Sequence, residues 1–387
     1  MLLQETMDCY FACSKQQRCS FKNDLRPIYS CYKLGKFSTK HSGGHLPNIL
    51  NIWCKAKQVS LKQVTQLEPE PVLQSVTAFA PATIANLGPG FDFLGCAVEG
   101  LGDHVSVEVN EGIEPGKIVI SSIYGDNNRL SHDPVKNCAG IAAKATMELL
   151  GIHSVGLSLS LHKGLPLGSG LGSSAASAAA AAIAVNALFG SKLTKEDLVV
   201  AGLESEAAVS GYHADNVAPS LMGGFVLVRS YSPLDLISLP FPNDKELFFV
   251  LVTPAFEAPT KEMRAVLPTE ITMKDHILNC SQAAALIAAV LQGDPCLLGA
   301  ALSSDSIVEP RRAPLIPGML AVKEAALETG AFGCTISGAG PTAVAVTDSL
   351  EKGKAIAEAM VDMFLMKGKL KASASVEKLD RTGARVV

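Results

Sequence analysis

Leu165-Pro166-Leu167-Gly168-Ser169-Gly170-Leu171-Gly172-Ser173-Ser174-Ala175-Ala176 is the stretch on which the reading of the fold turns. It follows an alternating run, Leu157-Ser158-Leu159-Ser160-Leu161, that reads as a strand, and it opens an alanine-rich segment that reads as a helix over 174–188. The first turn of a helix leaves backbone N–H groups unpaired and carries a partial positive charge. Glycines before such a turn let the backbone close on a phosphate without side-chain obstruction. Ser173 and Ser174 can cap the helix and also offer hydroxyls to a metal or a phosphate. The stretch has neither the lysine of a Walker loop nor the third-glycine spacing of GxGxxG. A glycine turn ahead of a buried helix is the competing reading. The coincidence of three glycines, two serines and a strand-to-helix setting favours anion binding.

Outward from this loop, the chain has 387 residues, 48% hydrophobic and 18% charged, with a mean hydropathy of +0.26. That composition excludes a disordered chain and supplies a sizeable core. Aromatics are only 5%, so the core is aliphatic and alanine-rich. A net charge of −4 argues against a nucleic-acid partner. The uncharged run 164–191 is long enough to raise a membrane span, but its glycines, proline and alanines point to a buried helix instead.

Residues 1–60 are a different kind of sequence. They carry nine Lys and Arg against three Asp and Glu, the only tryptophan (Trp53), and Cys9, Cys13, Cys19, Cys31 and Cys54. They show neither helical nor strand periodicity and are rich in Ser, Thr, Asn, Gln and Lys, the composition of an organelle transit peptide. Ile52-Trp53-Cys54 is similar to the apolar-x-Cys pattern near many chloroplast processing sites, so the expected destination is the plastid stroma. A disulfide framework and a disordered tail without an address are the alternatives. Cys96, Cys138, Cys280, Cys296 and Cys334 are isolated and read as reduced small hydrophobes.

Folding begins near Val72. Strands are expected at 75–80, 104–109, 117–120, 157–161, 224–229, 246–252, 333–336 and 342–346. Helices are expected at 137–149, 174–188, 194–208, 274–291, 319–329 and 351–366. The proline-containing stretch 232–243 reads as a linker or a boundary. The pattern is α+β in two blocks, 72–235 and 245–387.

Two further motifs stand in order around the loop: Ala80-Pro81-Ala82-Thr83-Ile84-Ala85-Asn86-Leu87-Gly88-Pro89-Gly90-Phe91-Asp92 and Ser337-Gly338-Ala339-Gly340-Pro341-Thr342. Together the three resemble the motifs of the GHMP kinases, over about four fifths of the chain. The resemblance implies a two-domain GHMP kinase fold, with an N-terminal ATP-binding domain like ribosomal protein S5 domain 2 and a ferredoxin-like C-terminal domain. Within that superfamily, Asn86 to Gly95, Gly211-Tyr212-His213-Ala214-Asp215-Asn216-Val217-Ala218-Pro219, Glu309-Pro310-Arg311-Arg312-Ala313-Pro314 and Leu379-Asp380-Arg381-Thr382-Gly383 resemble the homoserine kinases.

That resemblance implies transfer of the γ-phosphoryl of ATP, with Mg²⁺, to L-homoserine, giving O-phosphohomoserine for threonine and methionine synthesis. It implies Pro166 to Ala176 as the ATP loop, Ser174 and Glu206 as the metal pair, and Asn137 on the adenine side. Glu204 competes with Glu206, and a plain N-cap competes for Asn137. Homoserine is a zwitterion, and its site needs a carboxylate for the ammonium and guanidinium for the carboxylate. By resemblance Asp92 and Asn86 hold the amino end, Arg264 and Arg312 the carboxylate, and His213 lies near the substrate. Arg311 competes with Arg312. Each of these residues also has an ordinary reading, as a turn cap, a solvated charge or a core histidine. Where several GHMP kinases place a basic aspartate this chain has Asn216, which cannot take a proton. Asp215 is adjacent, and on an extended segment it would point elsewhere. Direct attack of the hydroxyl is therefore implied. Lys163, just before the loop, is expected to approach the phosphates. The family is often dimeric, so the resemblance suggests a homodimer. Another GHMP alcohol kinase, such as one for mevalonate, and a non-catalytic sensor are the rival readings.

Overall fold

The computed structural model describes residues 68–387 apart from Ser210. The expected leader, 1–60, lies outside the described residues. The first half of the fold comprises β1 (Ser75–Ala85), β2 (Leu94–Val109), β3 (Ile118–Tyr124), α1 (Cys138–Leu150), β4 (Leu157–His162), α2 (Ser173–Leu188), α3 (Lys195–Val209), α4 (Val217–Met222), β5 (Phe225–Tyr231) and β6 (Leu234–Leu239). The second comprises β7 (Phe248–Pro254), α5 (Thr260–Ala265), α6 (Met273–Gln292), α7 (Pro295–Leu302), α8 (Glu309–Arg312), α9 (Met319–Glu328), β8 (Gly333–Ile336), β9 (Ala343–Thr347), α10 (Leu350–Met363), β10 (Ala372–Lys378) and β11 (Arg385–Val386).

The first sheet runs β11-β1-β2-β4-β3, with β5 paired to the start of β2 and β6 to β5. The β3–β4 pair is parallel, joined through α1. The second sheet runs β10-β7-β9-β8, antiparallel throughout. In chain order that is fourth-first-third-second, the strand order of a ferredoxin-like unit.

Helix α2 explains the alanine content. Apart from Ser174, every residue from Ser173 to Leu188 is buried, because the helix packs against β1, β2, α1, α3 and α4. A helix enclosed on all sides cannot be amphipathic, and methyl-sized side chains let its neighbours approach closely. Strand β7 alternates between two cores. Phe249 and Leu251 join the larger core beneath the first sheet, while Val250 and Val252 join the second. The two halves thus share apolar packing as well as a cleft.

The stretch 232–243 is no linker. Ser232 and Pro233 turn the β5–β6 hairpin, and Leu239 and Phe241 are buried. A proline turn inside a hairpin carries the same local signal as a boundary. The end of the chain also departs from the simple two-block pattern, since β11 returns to pair with β1. Buried Asp380 secures that return by accepting from the Thr382 and Gly383 amides and from Arg385.

Candidate active site

The loop from β4 to α2 is held open by left-handed backbone at Gly168, Gly170 and Gly172, with φ of 67°, 82° and 65°. At Gly170 a β-carbon would lie 2.5 Å from the Ser337 carbonyl oxygen and 2.7 Å from that of Gly340. The third motif lies directly against the loop, and hydrogen bonds lace the two. Ser337 Oγ donates to the Gly170 carbonyl (2.6 Å), and Thr342 Oγ1 to that of Ser169 (2.6 Å). The first motif joins them through the Gly338 amide, which donates to the Ala85 carbonyl (3.1 Å), and Asn86 Nδ2, which donates to the Gly338 carbonyl (2.9 Å).

Neither serine caps α2. The N-cap is Gly172, with no side-chain bond to the first turn. Ser173 Oγ donates to the Leu165 carbonyl, and Ser174 Oγ to Glu206 Oε1 at 2.8 Å. The first-turn amides therefore keep their hydrogen-bonding capacity for a ligand beside Gly172, Ser173 and Ser174, which line the cleft. Beneath this turn Lys163 Nζ pairs with buried Asp103 and donates to the Ser173 carbonyl and Ser177 Oγ, each at 2.8 Å. Asp103 Oδ1 accepts from the amides of Gly164 and Leu165. Lys163 thus braces the loop from below, its charge already matched by Asp103.

The cleft holds about 290 Å³ and is lined by residues of all three motifs. At its other end Arg264 donates two bonds to the Asp92 carboxylate, both 2.8 Å. Arg312 is 2% exposed, with Nε on the Met263 carbonyl and Nη1 on that of Gly338. The ring of Phe91 lies 5.2 Å from the Arg264 guanidinium carbon and 5.1 Å from that of Arg312. Burial, and then the charge of Arg264, lower the pKa of Arg312 to about 10. The hydrogen bonds to Asp92 raise that of Arg264. Its Nε is buried without a hydrogen-bond partner among the described residues.

Between the two ends, Glu206 is 2% exposed and His213 Nδ1 lies 3.3 Å from Asp215 Oδ1. Burial disfavours the imidazolium, but the bond to Asp215 and the charges of Asp215, Glu206 and Asp92 outweigh it and push the pKa up to about 9. Asp215 and Asn216 sit in a turn rather than an extended segment, so both line the cleft and Asp215 does not point elsewhere. Glu206 lines the same cleft, whereas Glu204 lines a separate groove between α1 and α3. Arg311 is exposed and bonds the Ile307 carbonyl.

Two amides are more committed to the protein than their sequence reading suggests. Asn137 caps α1 through its Oδ1 on the Ala139 amide (3.0 Å), and its Nδ2 donates to the Ser131 carbonyl (2.9 Å). Asn86 accepts from the Asp92 amide (3.0 Å) as well as bonding Gly338, so it shapes the loop that carries Asp92.

Models of the GHMP kinases N terminal domain and the GHMP kinases C terminal domain match residues 136–224 and 286–364. Homoserine kinase of Arabidopsis thaliana is 69% identical over 334 residues, covering 86% of this chain and 90% of that protein. Homoserine kinase of Chlorobium phaeovibrioides is 46% identical over 323 residues, 81% of this chain and all of that protein. The crystal structure of homoserine kinase from Cytophaga hutchinsonii superimposes with a TM-score of 0.77 at 41% identity, covering 82% of this chain and 99% of that one. The chain belongs to the homoserine kinase family.

For a homoserine kinase, three site features escaped the sequence. Asp103 lies 60 residues before its partner Lys163, and nothing local marks it. Phe91 stands in a quoted motif, but its contact with two guanidiniums is a tertiary fact. Thr83 looks like an ordinary β-branched strand residue, yet its hydroxyl lies 2.7 Å from Asn216 Oδ1. Among the described residues, no helix is long and apolar enough to cross a membrane.

Proposed function

We propose that this chain is an ATP-dependent homoserine kinase that transfers the γ-phosphoryl group to the hydroxyl of L-homoserine, giving O-phospho-L-homoserine for threonine and methionine synthesis. One observation carries the reading: a carboxylate and two guanidiniums converge around Phe91 in the same cleft as an uncapped helix N-terminus. An α-amino acid presents one cation and one anion, and Asp92 beside Arg264 offers the complementary pair.

In this reading the loop and first-turn amides that line the cleft between Gly168 and Ser174, with the dipole of α2, hold the triphosphate. The carboxylate of Glu206, bonded to the hydroxyl of Ser174, suits an ion that takes few protein oxygens and fills its shell with phosphate and water. These two would hold Mg²⁺, which when bound neutralises charge on the β- and γ-phosphates. His213, charged at neutral pH, adds positive potential at the centre of the cleft. Asn216 can donate to the substrate hydroxyl but cannot take its proton, which leaves to a phosphate oxygen or water. Catalysis is then mainly positioning and charge stabilisation.

ADP release tests the reading, measured with Mg²⁺-ATP and L-homoserine beside D-homoserine, L-serine, mevalonate and galactose. Turnover confined to L-homoserine is expected, and turnover with mevalonate or galactose instead would overturn the substrate assignment.

Residues 1–60 are proposed to direct the protein to the chloroplast stroma and then be removed. The reading is supported by their basic, acid-poor composition and by the bacterial Chlorobium relative, which is matched over its whole length by 81% of this chain. Residues 1–67 fused to a fluorescent protein should enter plastids, and a cytosolic signal would contradict the assignment. The assembly proposed is a homodimer, supported by the family resemblance and tested by light scattering, where a monomer mass would count against it.

A further inference from the structure

We propose that Thr83 is a positioning residue for phosphoryl transfer, fixing the side-chain amide of Asn216 so that its N–H₂ group faces the substrate hydroxyl. The inference rests on the homoserine kinase reading and goes one step deeper into the same site.

Thr83 is fully buried on β1, just past the register shift between Pro81 and Ala82 that turns the end of the strand. Its backbone amide donates to the Leu171 carbonyl of the phosphate loop (3.1 Å), and its Oγ1 donates to Asn216 Oδ1 at 2.7 Å. The orientation of a side-chain amide follows from its hydrogen-bond network. Here the buried Thr83 hydroxyl has no other acceptor among the described residues. Reversing the amide would place N–H₂ against Thr83 and leave the O–H proton buried and unpaired, which costs about 1–3 kcal/mol. The oxygen therefore stays with Thr83, and the N–H₂ is the part of Asn216 that remains for the cleft it lines.

A donor at that position takes one lone pair of the substrate oxygen and helps orient another toward phosphorus. The new O–P bond forms from that second lone pair as the bond from phosphorus to the β,γ-bridging oxygen breaks. ADP departs with the electron pair, and the hydroxyl proton goes to a phosphate oxygen or water. Thr83 touches none of the reacting atoms. It acts through Asn216, and Gly172 at the start of α2 leaves space for the pair: a β-carbon there would lie 2.0 Å from Thr83 Oγ1 and 2.9 Å from Asn216 Oδ1.

The test is steady-state kinetics of wild type, Thr83→Val, Thr83→Ser, Asn216→Ala and the Thr83→Val/Asn216→Ala double variant, in the full chain. Valine keeps the shape and removes the hydroxyl. Thr83→Val should lower kcat roughly ten- to hundredfold, with both KM values within about twofold. Thr83→Ser should recover most of the loss. In the Asn216→Ala background Thr83→Val should cost nothing further, since the residue it positions is gone. If the valine variant does not fold, Thr83→Ala takes its place in the same cycle. Wild-type kcat in Thr83→Val, an equal loss in both backgrounds, or a serine variant as slow as the valine variant would overturn the proposal. A wild-type protein inert toward L-homoserine would instead overturn the underlying substrate reading, and this inference with it.

Discussion

His213 is the residue whose charge most directly links stability to pH. Its pKa is raised from the ordinary 6.5 to about 9, so the folded protein binds a proton that the unfolded chain releases earlier. Stability from this proton is fully present below pH 6.5, shrinks as pH rises, and is lost above about pH 9. Urea unfolding between pH 6.5 and 9.5 should show that decline, and His213→Asn should flatten it. An unchanged slope in the variant would remove His213 as its source. At the same scale, the two serines of the loop show how local chemistry is redirected by tertiary partners. Serine is a good N-cap, but Ser174 gives its hydroxyl to Glu206 on α3 and Gly172 takes the cap position. The residue types at the helix entry were legible, but the partner of Ser174 lies 32 positions away.

Among elements, α2 carries the most constraint. It bears the phosphate loop at its start and is enclosed along its length, with Ala180 fully buried. Ala180→Leu should destabilise the fold by about 1–3 kcal/mol, measured as a lower denaturation midpoint with unchanged slope. A neutral result would mean that the helix has spare room. Most elements were readable because their periodicity or composition is strong: α2 by its alanines and β4 by alternation. The elements that were not read have physical reasons. Strand β10, Ala372-Ser373-Ala374-Ser375-Val376-Glu377-Lys378, is a partly exposed edge strand with little apolar contrast. Helices α4, α5 and α8 span six, six and four residues, too short for periodicity to show.

In the whole molecule, the alternating faces of β7 join two apolar cores, and the cleft lies where motifs from both halves meet. The bonds from Ser337, Thr342 and Arg312 reach across more than one segment of chain, so the loop, the substrate end and the third motif are built as one unit. Sequence carried the three motifs in order, and the choice of Glu206 over Glu204 and of Arg312 over Arg311 agrees with which side chains line the cleft. It could not carry the direct pairing of Asp92 with Arg264, 172 positions apart, which brings the proposed holders of opposite substrate ends into contact.

The most direct test of this account compares kcat/KM for L-homoserine with that for 4-hydroxybutyrate, which lacks the ammonium, and 3-aminopropan-1-ol, which lacks the carboxylate. Each analogue leaves part of the Asp92, Arg264 and Arg312 cluster without its partner, and sites built to hydrogen-bond a group reject analogues lacking it strongly. Losses of roughly a thousandfold or more for both analogues are predicted. Comparable turnover of either one would contradict a zwitterion site in this cleft.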